Sequence, residues 1–150
     1  MQTLSVTSSA FGNDRIMSAV YTCDGKNINP PLSISNIPAG TKSLALIVED
    51  PDAPLRVWDH WVRYNIPANT TVIKEGQEPE GSAGSGTAGN KTYSGPCPPS
   101  GTHHYHFKVF ALSDNLTLAE GATKDQVLTA MQGKILAQGE LVGLYSRDHL

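Results

Sequence analysis

Cysteine is scarce in this chain. There are two, Cys23 and Cys97, in 150 residues, too few for a disulfide framework and spaced like no zinc motif. No apolar run approaches the length of a membrane span, so no integral membrane contact is expected. Lys and Arg are scattered, and a formal net charge of −3 leaves no electrostatic footprint for nucleic acid. The opening stretch Met1-Gln2-Thr3-Leu4-Ser5-Val6 has neither a basic n-region nor an apolar h-region. No signal peptide is expected there, and the predicted location is cytoplasmic. No internal repeat is present.

What remains is an ordinary globular composition, 39% hydrophobic and 17% charged, at a length that suits one domain over residues 1–150. Strand patterns dominate. Ser43 to Glu49 is a continuous apolar run with Leu44, Leu46 and Val48 on one face and Ala45 and Ile47 on the other, which predicts a central strand covered on both sides. Trp58 to Ile66 and His104 to Leu112 read as two more strands. Strict alternation on the first puts His60 with Trp58, Val62, Tyr64 and Ile66. Shorter strands are predicted at Leu4–Ser8, Leu32–Ser35 and Leu141–Tyr145. One helix is predicted from Lys124 to Ala137, with Thr123 as N-cap, Gln126 completing a capping box, and Val127, Leu128, Met131, Ile135 and Leu136 as its apolar stripe. Gly133 weakens that helix by about 1 kcal/mol relative to Ala. Glu75 to Thr92 is nearly devoid of apolar residues and punctuated by glycine, a long flexible loop. Mostly strands with one late helix predict an antiparallel sheet assembly.

Two segments place polar side chains where a strand meets a proline-stiffened loop, the usual place for a binding site on a rigid scaffold. The first is Asp50-Pro51-Asp52-Ala53-Pro54. The second is Gly95-Pro96-Cys97-Pro98-Pro99-Ser100-Gly101-Thr102-His103-His104-Tyr105. Taken alone, Asp-Pro-Asp reads as a turn, and His60 reads as a satisfied core histidine. Asp50 extends the alternation of Leu44, Leu46 and Val48, so its carboxylate starts from a core face and needs hydrogen-bond partners. His104 and His106 share a face, and His103 and Tyr105 share the other. The first pair could ligate a metal, but nothing acidic is placed to complete a shell, so no metal is expected. Proline removes backbone donors from the 95–99 segment, and Gly95 allows close approach to a ligand.

In this order and spacing, from about Phe11 to Tyr145, the two segments closely resemble the phosphatidylethanolamine-binding protein family, in its bacterial and archaeal Raf kinase inhibitor-like branch. The resemblance implies a mainly β fold: an antiparallel β-sandwich with one or two peripheral helices. It implies a ligand pocket contacted by Asp50, His60, Gly95, Pro96, Pro98, His103 and Tyr105. Asp52 is divided between ligand contact and holding its loop. Trp58, in Trp58-Asp59-His60-Trp61-Val62, and Cys97 wall the pocket. Only Thr102 separates Gly101 from His103, a shorter stretch than in animal members, so a tighter rim is expected. The resemblance also implies a cis peptide at Ala53-Pro54. It puts Cys23 and Cys97 on two loops flanking the pocket, where a bridge between them is expected, against the two reduced thiols that a cytoplasmic setting favours.

Carboxylate, imidazoles and phenol together suit a small anionic or zwitterionic ligand such as phosphate or phosphoethanolamine. The expected function is therefore a binding protein with a regulatory role, without catalytic residues or cofactor. Inhibition of a kinase or serine protease through protein contact is the first alternative, although the 76–92 loop reads as too flexible for it. Hydrolysis of a small phosphoester or ester is the second, against which no Ser or Cys stands in a nucleophile-elbow pattern. A homodimer is compatible with any of these.

Overall fold

The structure is a computed structural model that describes residues 2–147. Its strands are β1 (Gln2–Thr3), β2 (Ser5–Thr7), β3 (Arg15–Ile16), β4 (Leu32–Ser35), β5 (Ser43–Asp50), β6 (Trp58–Pro67), β7 (Val72–Ile73), β8 (Ser82–Ala83), β9 (His103–Leu112) and β10 (Ile135–Tyr145). One helix, α1 (Lys124–Met131), precedes β10. A seven-stranded sheet runs β1-β10-β9-β5-β6-β8, with β3 also on β10, and β2-β4-β7 form a second sheet. The pairings are antiparallel except that β1 and β3 lie parallel to β10.

The double-faced pattern of β5 sets the layers. Leu44, Leu46 and Val48 pack with Val6, Leu32, Ile34 and Ile73 of the small sheet, with Leu4 just before it, and with Phe107 and Val109 of β9. Ala45 and Ile47 face the other way, onto Val62, Tyr64, Val127 and Met131. A sandwich core thus lies between the sheets and a second core lies under α1. Each fully buried Leu, Ile or Val contributes about 1.5–3 kcal/mol, so β5 alone anchors both layers.

Three expectations are corrected. The helix stops at Met131, not Ala137. Gly133 adopts φ 76° and turns the chain, and Ile135, Leu136 and Ala137 begin β10. Glycine there is a helix terminator, not a weak interior residue. Leu128, assigned to the apolar stripe, is exposed. The Ala53–Pro54 bond is trans. The turn it was expected to make is made instead by an Asx-type bond, Asp52 N–H donating to Asp50 Oδ1 at 2.8 Å, and by Leu55 at φ 76°. Finally, residues 75–92 are tied down along β6. Gly84 N–H donates to Val62 O and Thr87 N–H to Asp59 O. Glu78 accepts from Trp61, Arg63 and the Tyr93 backbone. The glycines allow this closeness, since a Cβ on Gly86 would sit 2.7 Å from Asp59 O.

Candidate functional site

Three strands deliver the site. Asp50 ends β5 on its sandwich-core face, where Leu44, Leu46 and Val48 precede it. His103 and Tyr105 open β9 on the same face, ahead of Phe107 and Val109. Their neighbours His104 and His106 alternate outward to carboxylates of their own, Asp52 and Glu140. Trp58 pairs with Asp50 across β5 and β6.

His60 arrives by a route that alternation does not predict. The β5–β6 register slips between Val48↔Trp61 and Glu49↔Asp59, which leaves His60 as an extra residue. Such a β-bulge lets successive side chains point to one side. Trp61 therefore joins the sandwich core while Val62 and Tyr64 pack under α1. The expected common face of His60, Val62 and Tyr64 is broken, and the bulge turns His60 onto Tyr105, ring centroids 5.3 Å apart. Asp59 points oppositely, to Lys124 Nζ at 2.8 Å.

The fourth wall is the 94–99 loop. Tyr93 O–H donates to Tyr21 O at 2.7 Å, Gly95 N–H to Asn27 Oδ1 at 2.7 Å, and Cys23 N–H to Pro96 O at 3.1 Å. A Cβ on Gly95 would stand 2.1 Å from Tyr21 O, so only glycine fits. Cys23 and Cys97 form a disulfide with Cα atoms 5.4 Å apart, closing a separation of 74 residues. In the chain-entropy model that loop is worth about 4 kcal/mol, as an upper figure.

Together these elements enclose a cavity of about 380 Å³ lined by Asp50, Trp58, His60, Gly95, Cys97, Pro98, Pro99, His103 and Tyr105, with Ala53, Pro54, Ala88 and Ser94 completing it. Pro96, assigned to ligand contact, and Asp52, divided between ligand contact and holding its loop, do not line the cavity. Asp52 is exposed and accepts from His104 N–H at 2.8 Å and from His104 Nδ1 at 2.7 Å, fastening its loop to β9. Pro96 is buried behind the wall, its carbonyl spent on Cys23. Ser94 was not foreseen, and its part is played by a backbone carbonyl, which leaves no mark in side-chain pattern. Two other surface depressions exist, along residues 67–80 and between β1, β9 and β10. Neither brings together carboxylate, imidazole and phenol. Among the described residues no group of three His, Cys, Asp or Glu is placed to hold a metal.

The cavity's polar groups are held in a fixed order. Asp50, 3% exposed, spends Oδ1 on Asp52 N–H and meets His103 Nδ1 with Oδ2 at 2.6 Å. His60 Nδ1 lies 2.8 Å from Ser94 O, which only accepts, so Nδ1 carries a hydrogen. Nε2 is left as the free ring nitrogen of each histidine. Burial lowers the His60 pKa, outweighing the Ser94 carbonyl and the Asp50 and Asp59 charges, which raise it. Burial, reinforced by the Asp50 and Asp52 charges, raises the Tyr105 phenol, which therefore stays a neutral donor. That phenol is 1% exposed and lies within the field of Asp50, yet its oxygen has no hydrogen-bond partner of sound geometry. For Asp52, burial pushes the carboxyl up, but hydrogen bonds from His104 and the His104 charge outweigh it and lower the pKa.

The chain was compared with known proteins. The family model described as phosphatidylethanolamine-binding protein matches residues 7–146. A UPF0098 protein of Methanothermobacter thermautotrophicus is 47% identical, over 96% of this chain and 99% of its own. Another from Aquifex aeolicus is 46% identical, over 97% and 90%. The crystal structure of CT736, a phosphatidylethanolamine-binding protein homologue from Chlamydia trachomatis, superposes with a TM-score of 0.94 at 42% identity, covering 99% of this chain and 100% of that one. YbcL of E. coli, described as a member of the mammalian family, gives 0.88 at 31% identity, covering 95% and 98%. By match along nearly its whole length, in sequence and in fold, this chain belongs to the phosphatidylethanolamine-binding protein family.

Proposed function

We propose that the cavity binds a small anionic or zwitterionic group, phosphate or a phosphoethanolamine-like head group, and that the protein acts by binding, in a regulatory role, and not by turnover. The observation that carries this is the convergence on one cavity of the Asp50 carboxylate, the His60 and His103 imidazoles and Tyr105, whose buried neutral hydroxyl lies beside Asp50 without a well-formed hydrogen bond. An unmade hydrogen bond on a buried donor costs about 1–3 kcal/mol, which a ligand oxygen would recover. The two imidazole Nε2 atoms add donors when protonated, and Asp50 supplies the counter-charge for an ammonium. In the 95–99 wall three residues are proline and Gly95 N–H is already used, so Cys97 offers the one backbone donor. Cys97 is also bound in a disulfide and presents no thiolate, which favours binding over covalent catalysis. The reading predicts that phosphate binds and that Tyr105→Phe abolishes most of the affinity, measured by calorimetry. Hydrolysis of a chromogenic phosphoester or ester at a rate that depends on His60 or His103 would overturn it in favour of an enzyme.

A second reading, contact with a kinase or serine protease, is favoured by one feature. Leu55 is fully exposed at φ 76° on the loop whose Ala53 and Pro54 line the cavity. Inhibition lost in Leu55→Asp, with phosphate binding intact, would establish it. The proposed location is the cytoplasm. No helix among the described residues is long and apolar enough to cross a membrane.

A further inference from the structure

We infer that the Cys23–Cys97 bridge is a redox-operated strap on the pocket: its reduction by a dithiol frees the wall at residues 97–99 and weakens ligand binding. The inference rests on the binding reading above for its ligand, but not for its mechanics.

The 93–103 segment is fastened unevenly. Its first part is held to the 21–27 turn by three hydrogen bonds, from Tyr93 O–H, Gly95 N–H and Cys23 N–H. Ser94 O holds His60 Nδ1 in addition. Among the described residues, none from Cys97 to Thr102 makes a hydrogen bond until β9 begins pairing at His103↔Tyr145. Across those six positions the disulfide is the one covalent or polar tie to another described residue, and Pro98 is the one buried side chain. Yet this same stretch supplies Cys97, Pro98 and Pro99 to the cavity lining and leads into His103. Among the described residues, the strap sits where the wall has only the burial of Pro98 besides it.

Both cysteines are exposed, so the bridge is open to attack. The thiolate of a dithiol reductant attacks one sulfur, forming a mixed disulfide and releasing the other cysteine as a thiolate that takes a proton. The reductant's second thiol then displaces its own sulfur from the remaining cysteine. Two electrons pass, the reductant leaves as its cyclic disulfide, and Cys23 and Cys97 end as thiols. The hydrogen bonds at 93–96 survive this, so the reduced chain stays folded and keeps His60 oriented. Only the far wall loosens. A ligand must then re-order at least one of the freed residues that it touches, at about 1–2 kcal/mol each, which corresponds to a weakening of about tenfold or more.

The test uses the full chain, with dithiothreitol as the dithiol and inorganic phosphate as the probe. Amide order parameters of Cys97, Ser100, Gly101 and Thr102 are measured without ligand in the oxidised and reduced protein. Phosphate affinity is then measured in both. Expected on reduction are order parameters falling below about 0.6 at these residues alone, and phosphate binding weaker by about tenfold or more. Cys23→Ser/Cys97→Ser should match the reduced protein and ignore dithiothreitol. Unchanged mobility and affinity would refute the strap, as would loss of the whole dispersed spectrum on reduction, which would make the bridge a general stabiliser. Mobility that changes in a protein that binds no phosphate in either state would leave the strap standing and refute the ligand reading.

Discussion

Tyr105→Phe should make this protein more stable and less able to bind, both at once. The substitution removes one oxygen and keeps the ring against His60 and His103, with centroids 5.3 and 6.4 Å away. That oxygen is a buried donor beside the Asp50 carboxylate, without a well-formed hydrogen bond. Its desolvation costs about 1–3 kcal/mol, and the lower end applies because the Asp50 carboxylate lies beside it. Removing it should therefore raise stability by about 1 kcal/mol, or about 3 °C in Tm for a chain of this size. A hydrogen bond to a charged ligand oxygen contributes about 2 kcal/mol, so the variant should bind phosphate about thirtyfold more weakly. The two effects meet in calorimetric melts with and without phosphate. At a hundred times the wild-type Kd, phosphate stabilises the wild type by about 2.7 kcal/mol and the variant by about 0.9. The order of the two melting temperatures should invert between phosphate-free buffer and that concentration. A variant that melts below the wild type in both would refute the reasoning, since the hydroxyl would then be a structural group with a partner of its own.

Stability should fall on acidification below about pH 6.5. His60 is buried neutral and its pKa is lowered, so the unfolded chain takes up its proton first. The stability present above the unfolded value is lost as pH falls through the folded one, and thermal melts of His60→Gln should show a flatter profile there. Gly95→Ala would set a Cβ 2.1 Å from Tyr21 O, a backbone atom, and should cost about 1–3 kcal/mol in chemical denaturation along with phosphate affinity. Leu55→Gly relieves a left-handed residue with no packing to lose, and should stabilise by about 1 kcal/mol without altering phosphate binding.

What could be read from sequence was what repeats locally. The two faces of β5 followed from its apolar alternation because a strand keeps a period of two where no residue is inserted. His103 and Tyr105 obey the same rule in β9. The tertiary pairing of Asp50 with His103 came from family resemblance, as no local pattern records a contact across 53 residues. His60 reached the cavity for a reason alternation misses, since a bulge is one extra residue with no compositional mark. Gly133 was misplaced because Ile135 and Leu136 satisfy helical and strand periods alike, and only pairing with β9 decides between them. Residues 75–92 read as flexible because their anchors are backbone atoms of β6 and the Glu78 contacts with Trp61 and Arg63, tertiary pairings that composition does not record.

Consider the order in which this site can come into being. Its members meet through pairings of β5 with β9, a bridge spanning 74 residues and a loop moored to the 21–27 turn. β1, at the start of the chain, closes on β10 near its end, with Gln2 opposite Ala137. Such non-local closure belongs to chains that fold in milliseconds to seconds, not microseconds. The lining residues lie between Asp50 and Tyr105, with the mooring turn at 21–27, so on the binding reading a nascent chain would not bind its ligand until β9 has been made and laid against β5. On the binding reading, ligand capture would report that β9 has joined β5 and that the 94–99 loop has docked, and a pulse-labelled refolding chain should acquire it no earlier than those steps.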